Sequence, residues 1–561
     1  MEEKIVIKNF KDVPIVSMSM QSTLWNRTGE WRYMRPSYVS LQAPCSKACP
    51  IGQDISFYLT SLADGKPQEA WQKILEANPF PSVCGRVCHH PCETDCNRKE
   101  YDNALAINVL ERFLGDWGMK EGKSDGRKMD RRSEKVAVIG SGPAGLSCAY
   151  FLARQGYGVT VFEAMNEPGG MLRYGIPQYR LPRRILNAEM ARIESLGVDI
   201  QTGKSFGTDL GLEDLKPFAA VFLATGAHEE QKPKIPGDDL RGVIHGLGFL
   251  KEMNSGRDIS LGKKVVVVGG GNTAIDSARV AWRLGSKVTV LYRRAKEDMP
   301  AIPGEVEEAG KEGMQFIFNA APIKILGKGR KIQAVECLRT KPGGLDESGR
   351  RAPVAIQGSN FSLKADSLIL AVGERADLSF LPGGMKTGNG LITIDSWGRT
   401  NLRGIFAGGD AATGQGYVSL AIASGRRAAG AITRYLQRKI DDPLGKPEEV
   451  VSFEKINLDY FTRIPRTEIP VLAVKKRAGG FREVHGGLSG SQAKKETERC
   501  FSCGSCIHCN VCLMVCPDVA ISFRDQEKEY AINYDYCKGC GVCAVECPRS
   551  AIILEEEVWN K

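Results

Sequence analysis

"KVAVIGSGPAGLSCAYFLARQGYGVTVFEA", residues 135–164, decides the fold. A β-branched run leads into Gly140, Gly142 and Gly145, a helical stretch follows, and a second strand ends at Glu163, 23 residues past Gly140. Each part has a physical role. Gly140 makes a tight turn, Gly142 lets the backbone approach a pyrophosphate, and Gly145 lets helix and strand pack closely. The helix N-terminus faces the phosphates, and Glu163 accepts hydrogen bonds from ribose hydroxyls. The glycine pattern alone is a weak signal. With strand, helix and acid all in place it specifies a dinucleotide-binding βαβ unit.

The pattern returns in "KKVVVVGGGNTAIDSARVAWRLGSKVTVLYRR", residues 263–294, with Gly269, Gly271 and Ala274 in the three small-residue positions. Here the second strand ends without an acid, and Arg293 and Arg294 follow. Arginines at that point suit a 2′-phosphate, so NADPH is favoured over NADH, although one of them could be an ordinary solvated strand end. A third piece, "GIFAGGDAATGQGYVSLAIASGRRAA" from Gly404, ends a strand at Gly409 and Asp410 and starts a helix near Tyr417. An Asp there can bond the ribityl chain of a flavin, with the helix start facing the ring.

Around this α/β core the chain reads as a multidomain protein. Residues 1–44 form an irregular N-terminal docking arm with Trp25 and Trp31. Residues 45–125 form a helical, Cys-bordered domain, and the apolar-poor "KEGKSDGRKMDRRSE" (120–134) is a linker. The first dinucleotide domain occupies 133–255 and resumes at 381–440, the second is nested at 256–380, 441–495 cross over, and 496–561 form a second Cys-rich module.

Eighteen cysteines are too many to be incidental, and sixteen fall in two groups, 45–96 and 500–547. In a reducing cytosol such groups read as metal or cluster ligands, not disulfides. Cys148 and Cys337 stand alone in apolar segments and read as core. Cys506, Cys509, Cys512 and Cys516 have the C-x2-C-x2-C-x3-C-P spacing of a bacterial ferredoxin run, and Cys537, Cys540, Cys543 and Cys547 repeat it. In such pairs the fourth cysteine of each run ligates the other cluster. One cluster therefore takes Cys506, Cys509, Cys512 and Cys547, and the other takes Cys537, Cys540, Cys543 and Cys516. Zinc, the alternative for CxxC pairs, does not use this doubled run.

The formal charge is +10. Lysines and arginines are dispersed, so bound polyanions, clusters and dinucleotides, explain it better than nucleic acid does. No window approaches a membrane span, and "MEEKIVIKNFKDVPIV" lacks the features of a signal peptide, so a cytoplasmic protein without membrane contact is expected.

Two nested nucleotide folds closed by a late Gly-Asp segment resemble flavin-dependent disulfide-reductase-like enzymes. The closest likeness, over roughly 40–510, is to the small subunit of glutamate synthase and the N-terminal half of dihydropyrimidine dehydrogenase. It is carried by "GRVCHHPCETDC", "IGSGPAGLSCAYFLA", "GGMLRYGIPQYRLP", "VVGGGNTAIDSA" and "GIFAGGDAATG". The resemblance implies FAD contacts at Gly140, Ser141, Gly142, Pro143, Ala144, Gly145, Glu163, Met171, Arg180, Phe206, Gly409, Asp410 and Tyr417. It implies NAD(P) contacts at Gly270, Gly271, Asn272, Thr273, Arg293, Arg294, Ala371, Val372 and Gly373.

The same resemblance implies two further [4Fe-4S] clusters, making four in all. One takes Cys49, Cys88, Cys92 and a non-cysteine ligand that aligns with Glu111. The other takes Cys45, Cys96 and an upstream CxxC pair. Cys84 matches a position that is not a ligand. No CxxC precedes Cys45 here, but the family's phrase around that pair occurs at the far end as "ETERCFSCG", so Cys500 and Cys503 are expected to complete the cluster of Cys45 and Cys96.

"NRTGEWRYMRPSYV" (26–39) and the tail resemble the delta subunit of pyruvate:ferredoxin oxidoreductase, in which such an arm leads directly into a two-cluster ferredoxin. A strap wrapped on its own chain is the plainer reading of the arm. Together the resemblances imply an enzyme subunit in a hetero-oligomer that passes electrons between a thiamine-diphosphate-dependent 2-oxoacid oxidoreductase, or another redox partner protein, and NAD(P). The expected order is ferredoxin clusters, the cluster of Cys500, Cys503, Cys45 and Cys96, the cluster of Cys49, Cys88 and Cys92, FAD, then NADP or NAD. Hydride and one-electron chemistry belong to the cofactors, so no catalytic side chain is assigned. A glutamate-synthase-type small subunit and an NAD(P)H:ferredoxin transhydrogenase subunit stand as alternatives, with a zinc-rich nucleic-acid-binding protein as the remote one.

Overall fold

The strand Lys135–Ile139 sits at the centre of a parallel five-stranded sheet in the order Ile405–Ala407, Ala220–Leu223, Lys135–Ile139, Gly158–Phe162, Asp199–Gln201. Its central strands Lys135–Ile139 and Ala220–Leu223 are almost continuously apolar because both faces are covered, as parallel sheets require. Ile405–Ala407 pairs with Ala220–Leu223 although another sheet lies between them in sequence, so the two sequence blocks close one fold. In the computed structural model, residues 27–123, 130–346, 349–439 and 449–557 are described. Trp25, the N-terminal stretch, residues 124–129 of the charged linker and the start of the crossing segment lie outside the described residues.

The nested fold has its own parallel sheet, Gln315–Ile317, Lys287–Leu291, Lys264–Val268, Ser367–Leu370, Val243–His245, with an antiparallel layer, Ala320–Lys328, Lys331–Leu345, Arg351–Ala355 and Phe361–Lys364, beside it in sequence. The chain crosses between the two parallel sheets at Glu229–Glu230 and Glu374–Arg375, which pair antiparallel. This corrects the expected boundary at 255. Val243–His245 already belongs to the nested sheet, because a short strand without a helical period before it gives no signal of which sheet it will join.

Two compact units divide the chain. One gathers residues from 1–43, 448–462 and 501–561, and the other holds 44–447 and 463–500. In the second unit, short helices precede the nucleotide folds, among them Ile55–Ala63, Pro67–Leu75, Pro81–Val87 and Ile107–Lys120. Pro81–Val87 crosses Ile107–Lys120 closely: a Cβ on Gly85 would stand 2.4 Å from Arg112 Cα, and one on Gly115 would stand 2.5 Å from Ser82 N. Cys148 and Cys337 are buried in the cores of the two nucleotide folds, as expected.

In the first unit the arm strand Met34–Tyr38 pairs antiparallel with Ile552–Glu556, Tyr38 opposite Ile552. The arm is thus a strand of the ferredoxin-like module, not a separate element, and residues 449–462 pack there too; the expected division at 44 and 441–495 is redrawn accordingly. The two cysteine runs are pseudo-symmetric. Asn510 and Gly541 occupy equivalent positions before the helices Val511–Met514 and Val542–Val545, with φ of +65° and +80°. Those are residue types that tolerate the left-handed region. Among the described residues no helix is long and apolar enough to cross a membrane.

Candidate functional site

The first glycine turn behaves as its spacing requires. Gly140 has φ +102°, and a Cβ there would lie 2.4 Å from Ala224 O; one on Gly145 would lie 1.9 Å from Gly140 O. A Cβ on Gly142 meets no protein atom within 4 Å, so the backbone is open where a pyrophosphate would approach. Glu163, at the end of the second strand, accepts from Ser141 N at 2.9 Å and Met165 N at 2.8 Å, which holds its carboxylate beside the turn. Asp410 is half-buried; desolvation raises its pKa, and it accepts from Gly416 N at 3.0 Å. These residues fit FAD. Met171 starts a short helix, and Phe206 packs edge-on against Phe380 in the core beneath Phe162.

The second turn repeats the geometry. Gly269 has φ +145°, and its Cβ would lie 2.1 Å from Ala371 O, while Gly271 is open and Asn272 and Thr273 begin the helix Asn272–Arg283. Ala371, Val372 and Gly373 lead to Glu374. That carboxyl is raised by burial, accepts from the Thr273 hydroxyl and is within electrostatic reach of Asp410. Glu374 thus sits at the second cradle and feels the charge of Asp410 in the first. These residues fit NAD(P).

Two expected contacts look elsewhere. Arg180 is buried and bonds Asp276 at 2.7 Å and Glu305 at 3.1 Å, tying the first nucleotide domain to the second. Arg294 is buried, ion-paired with Asp346 and bonded to Arg351 O, whereas Arg293 is exposed. Only Arg293 is presented to solvent for a 2′-phosphate.

Cys49, Cys88, Cys92 and Glu111 line one cavity, together with Cys84, Tyr58, His90 and Ser419. Sequence spacing could not show this, because the residues come from four separate elements. The amides of Ile51, Gly52 and Gln53 point at the Cys49 sulfur, and His90 N donates to Cys88 Sγ at 3.3 Å. Such N–H···S bonds favour the thiolate. Glu111 is buried, and burial pushes its carboxyl up to about 7 against two amide donors, Gln53 and Asn78. Among the described residues, the buried Tyr58 hydroxyl and Gln53 Oε1 have no hydrogen-bond partner. Three thiols, a carboxylate and unanswered polar atoms fit a [4Fe-4S] cluster.

Cys45, Cys96 and Cys500 pack into one core of the same unit. The return segment is pinned there by a buried ionic network: Arg98 donates to Arg499 O, and Arg499 bonds Asp102 at 2.9 Å and Glu496 at 2.6 Å. Burial opposes ionisation of Asp102, but Arg98 and two backbone amides hold its carboxyl well below the usual range. Cys503 is buried in the other unit.

In that unit, Cys506, Cys509, Cys512 and Cys547 line one cavity, so the fourth cysteine of the second run joins the first three of the first. Cys516 lies among Cys537, Cys540 and Cys543. Ala520 N and Ala551 N donate to Cys516 and Cys547, each at 3.3 Å. Among the described residues, no three His, Cys, Asp or Glu side chains converge tightly enough for a single metal ion.

Sequence reasoning missed several residues. Tyr38, from the arm, meets Cys512 Sγ at 3.2 Å. His89 rings against Tyr417 at 4.1 Å. Gln53 and Asn78 bond Glu111. The adjacency of His89 to Cys88 was the one usable signal.

The model of the pyridine nucleotide-disulphide oxidoreductase family matches residues 134–428. The chain belongs to that family. Its flanks match a dihydropyrimidine dehydrogenase domain II 4Fe-4S model over 38–123 and a 4Fe-4S dicluster domain over 505–551. It is thus an oxidoreductase with FAD- and NADP-binding folds and 4Fe-4S domains at both ends, as expected. It is 39% identical to the NADP(+)-dependent formate dehydrogenase subunit beta of Moorella thermoacetica, over 82% of this chain and 70% of the relative. It is 39% identical to the NADPH-Fe(3+) oxidoreductase subunit beta of Geobacter sulfurreducens, over 82% and 75%. Likeness to the glutamate synthase [NADPH] small chain of Halomonas elongata is 35%, over 70% and 88%.

Proposed function

We propose that this chain is the NADP-linked subunit of a larger redox complex and passes electrons between ferredoxin-type clusters and NADP by way of FAD. The observation that carries the reading is the start of the helix Val418–Leu436. Tyr417, beside the flavin cradle, rings against His89, and Ser419 lines the cavity of Cys49, Cys88, Cys92 and Glu111. On the other side, Glu374 accepts from Thr273 of the nicotinamide cradle and feels the charge of Asp410. One-electron and hydride sites are thus neighbours, and the bound groups supply that chemistry. The chain's own residues hold the pyrophosphates with open backbone, orient the ribose through Glu163 and exclude water by burial.

Cys45, Cys96 and Cys500 are proposed as three ligands of a further cluster, with Cys503, the CxxC partner of Cys500, as the fourth. Reducing surroundings such as the cytoplasm suit these grouped thiols. For the partner, a thiamine-diphosphate-dependent 2-oxoacid oxidoreductase is supported by the arm and ferredoxin forming one unit, like a delta-type subunit interrupted by a flavoenzyme. The name of one relative at 39% identity, a formate dehydrogenase subunit beta, favours a second reading, a partner that oxidises another small substrate such as formate. Anaerobic isolation of the native complex, with mass identification of the subunits, decides. Thiamine-enzyme subunits support the first reading, dehydrogenase subunits the second. A chain that binds FAD and reduces no cluster when given NADPH refutes both.

A further inference from the structure

The cavity of Cys49, Cys88 and Cys92 offers two side chains for a fourth ligand, Glu111 and Cys84. The close crossing of Pro81–Val87 and Ile107–Lys120 at Gly85 and Arg112 brings them to one cavity. Cys84 is 1% exposed and Glu111 5%, so solvent distinguishes neither. Asn78, itself fully buried, touches both. Its Nδ2 donates to Glu111 Oε1 at 2.7 Å, while its Oδ1 accepts from the Cys84 thiol at 3.8 Å. The orientation of the amide is not arbitrary. Phe80 N, a donor that cannot be reversed, bonds Oδ1 at 2.9 Å and so fixes Nδ2 toward Glu111. Gln53 adds a second donor at 2.8 Å to the same Oε1. Among the described residues no other side chain bonds the Glu111 carboxylate, so both amides grip one oxygen and leave Oε2 for a ligand.

Resting on the reading that this cavity holds a [4Fe-4S] cluster, we propose that Asn78 and Gln53 are positioning residues that select the Glu111 carboxylate over the Cys84 thiol as the fourth ligand. Donors to Oε1 present the carboxylate, and the acceptor Oδ1 retains Cys84 as a thiol turned to Asn78. Outer partners of ligands commonly change metal affinity by roughly 10–100-fold when removed.

The test uses the full chain, reconstituted anaerobically, with FAD content as the check on folding. Asn78→Asp keeps the acceptor for Phe80 N and replaces only the donor facing Glu111. It is expected to change the electron paramagnetic resonance signal of this cluster and to speed iron loss to a chelator about tenfold or more. In Asn78→Asp with Cys84→Ser the cluster loses its substitute thiolate, and iron falls by roughly four per chain. Cys84→Ser alone keeps the parent signal. Gln53→Leu, which leaves Phe80 and Cys84 untouched, gives the same direction of change should Asn78→Asp not fold. The parent signal and iron-loss rate in both Asn78→Asp and Gln53→Leu would overturn the selection, as would an altered signal in Cys84→Ser. Glu111→Ala tests the underlying reading separately: a parent signal there removes Glu111 from the ligand set, whatever the Asn78 variants show.

Discussion

The two cysteine regions solve one problem in opposite ways. In the ferredoxin module the ligand cysteines come from two short runs, and Cys506, Cys509 and Cys540 are exposed. In the helical region Cys84, Cys92 and Cys96 are buried, Glu111 comes from a distant helix, and Arg98, Asp102, Glu496 and Arg499 form a buried ionic lattice around the return segment. Closely spaced ligands need local turns to gather three of each four, and only the fourth comes from the other run. Dispersed ligands need a packed and ion-paired frame, and that frame is where substitutions should tell.

The largest contrast concerns the pair at the end of the return segment. Cys500→Ser with Cys503→Ser is expected to remove roughly four irons and the matching acid-labile sulfide per chain while FAD stays. Full iron content in that variant removes both residues from the ligand set. Next comes the frame itself. Arg499→Leu leaves Asp102 and Glu496 buried with fewer partners, so unfolding free energy should fall by about 3–5 kcal/mol in a denaturant titration. A change within error shows that the lattice does not hold the segment.

Acid should find the same unit. Glu312 is fully buried among Arg279, Arg283 and Arg477; burial opposes its charge, but the guanidiniums lower its carboxyl to about 2. Its folded pKa lies below its unfolded value, so its stabilisation is present above about pH 4.5 and is lost as pH falls toward 2. Glu312→Gln should flatten the acid limb of stability measured by circular dichroism between those limits, and an unchanged limb assigns the acid sensitivity elsewhere. The two adjacent arginines give a smaller effect. Arg293→Ala is expected to raise KM for NADPH about tenfold, about 1.4 kcal/mol, and to leave KM for NADH unchanged. An equal rise for both nucleotides means that Arg293 does not meet the 2′-phosphate. Smallest of all is the exposed pair Arg524–Glu527 in the ferredoxin module, where Arg524→Ala should not move the unfolding midpoint.

Much of the fold was legible because glycine turns are local. The roles read for Gly140, Gly142 and Gly145 reappear in the space around each Cα, and the grouping of Cys547 with Cys506, Cys509 and Cys512 that the doubled run implies recurs in one cavity. What escaped was non-local. Arg293 and Arg294 are indistinguishable as neighbours in sequence, yet one is exposed and the other is bound to Asp346. Arg180 sits in a flavin-type phrase but is occupied by Asp276 of the other domain. Val243–His245 is too short to announce its sheet.

By itself, then, the amino-acid order determined the two dinucleotide turns and the two cysteine runs, since each rests on turns and spacings within some thirty residues. Only the tertiary structure decided that the arm is a strand of that module, that Cys84 and Glu111 share one cavity, and that a single buried amide, Asn78, stands between them. Those are meetings of residues far apart in the chain. They are set by which helices cross closely enough to touch, and no spacing along the chain records that.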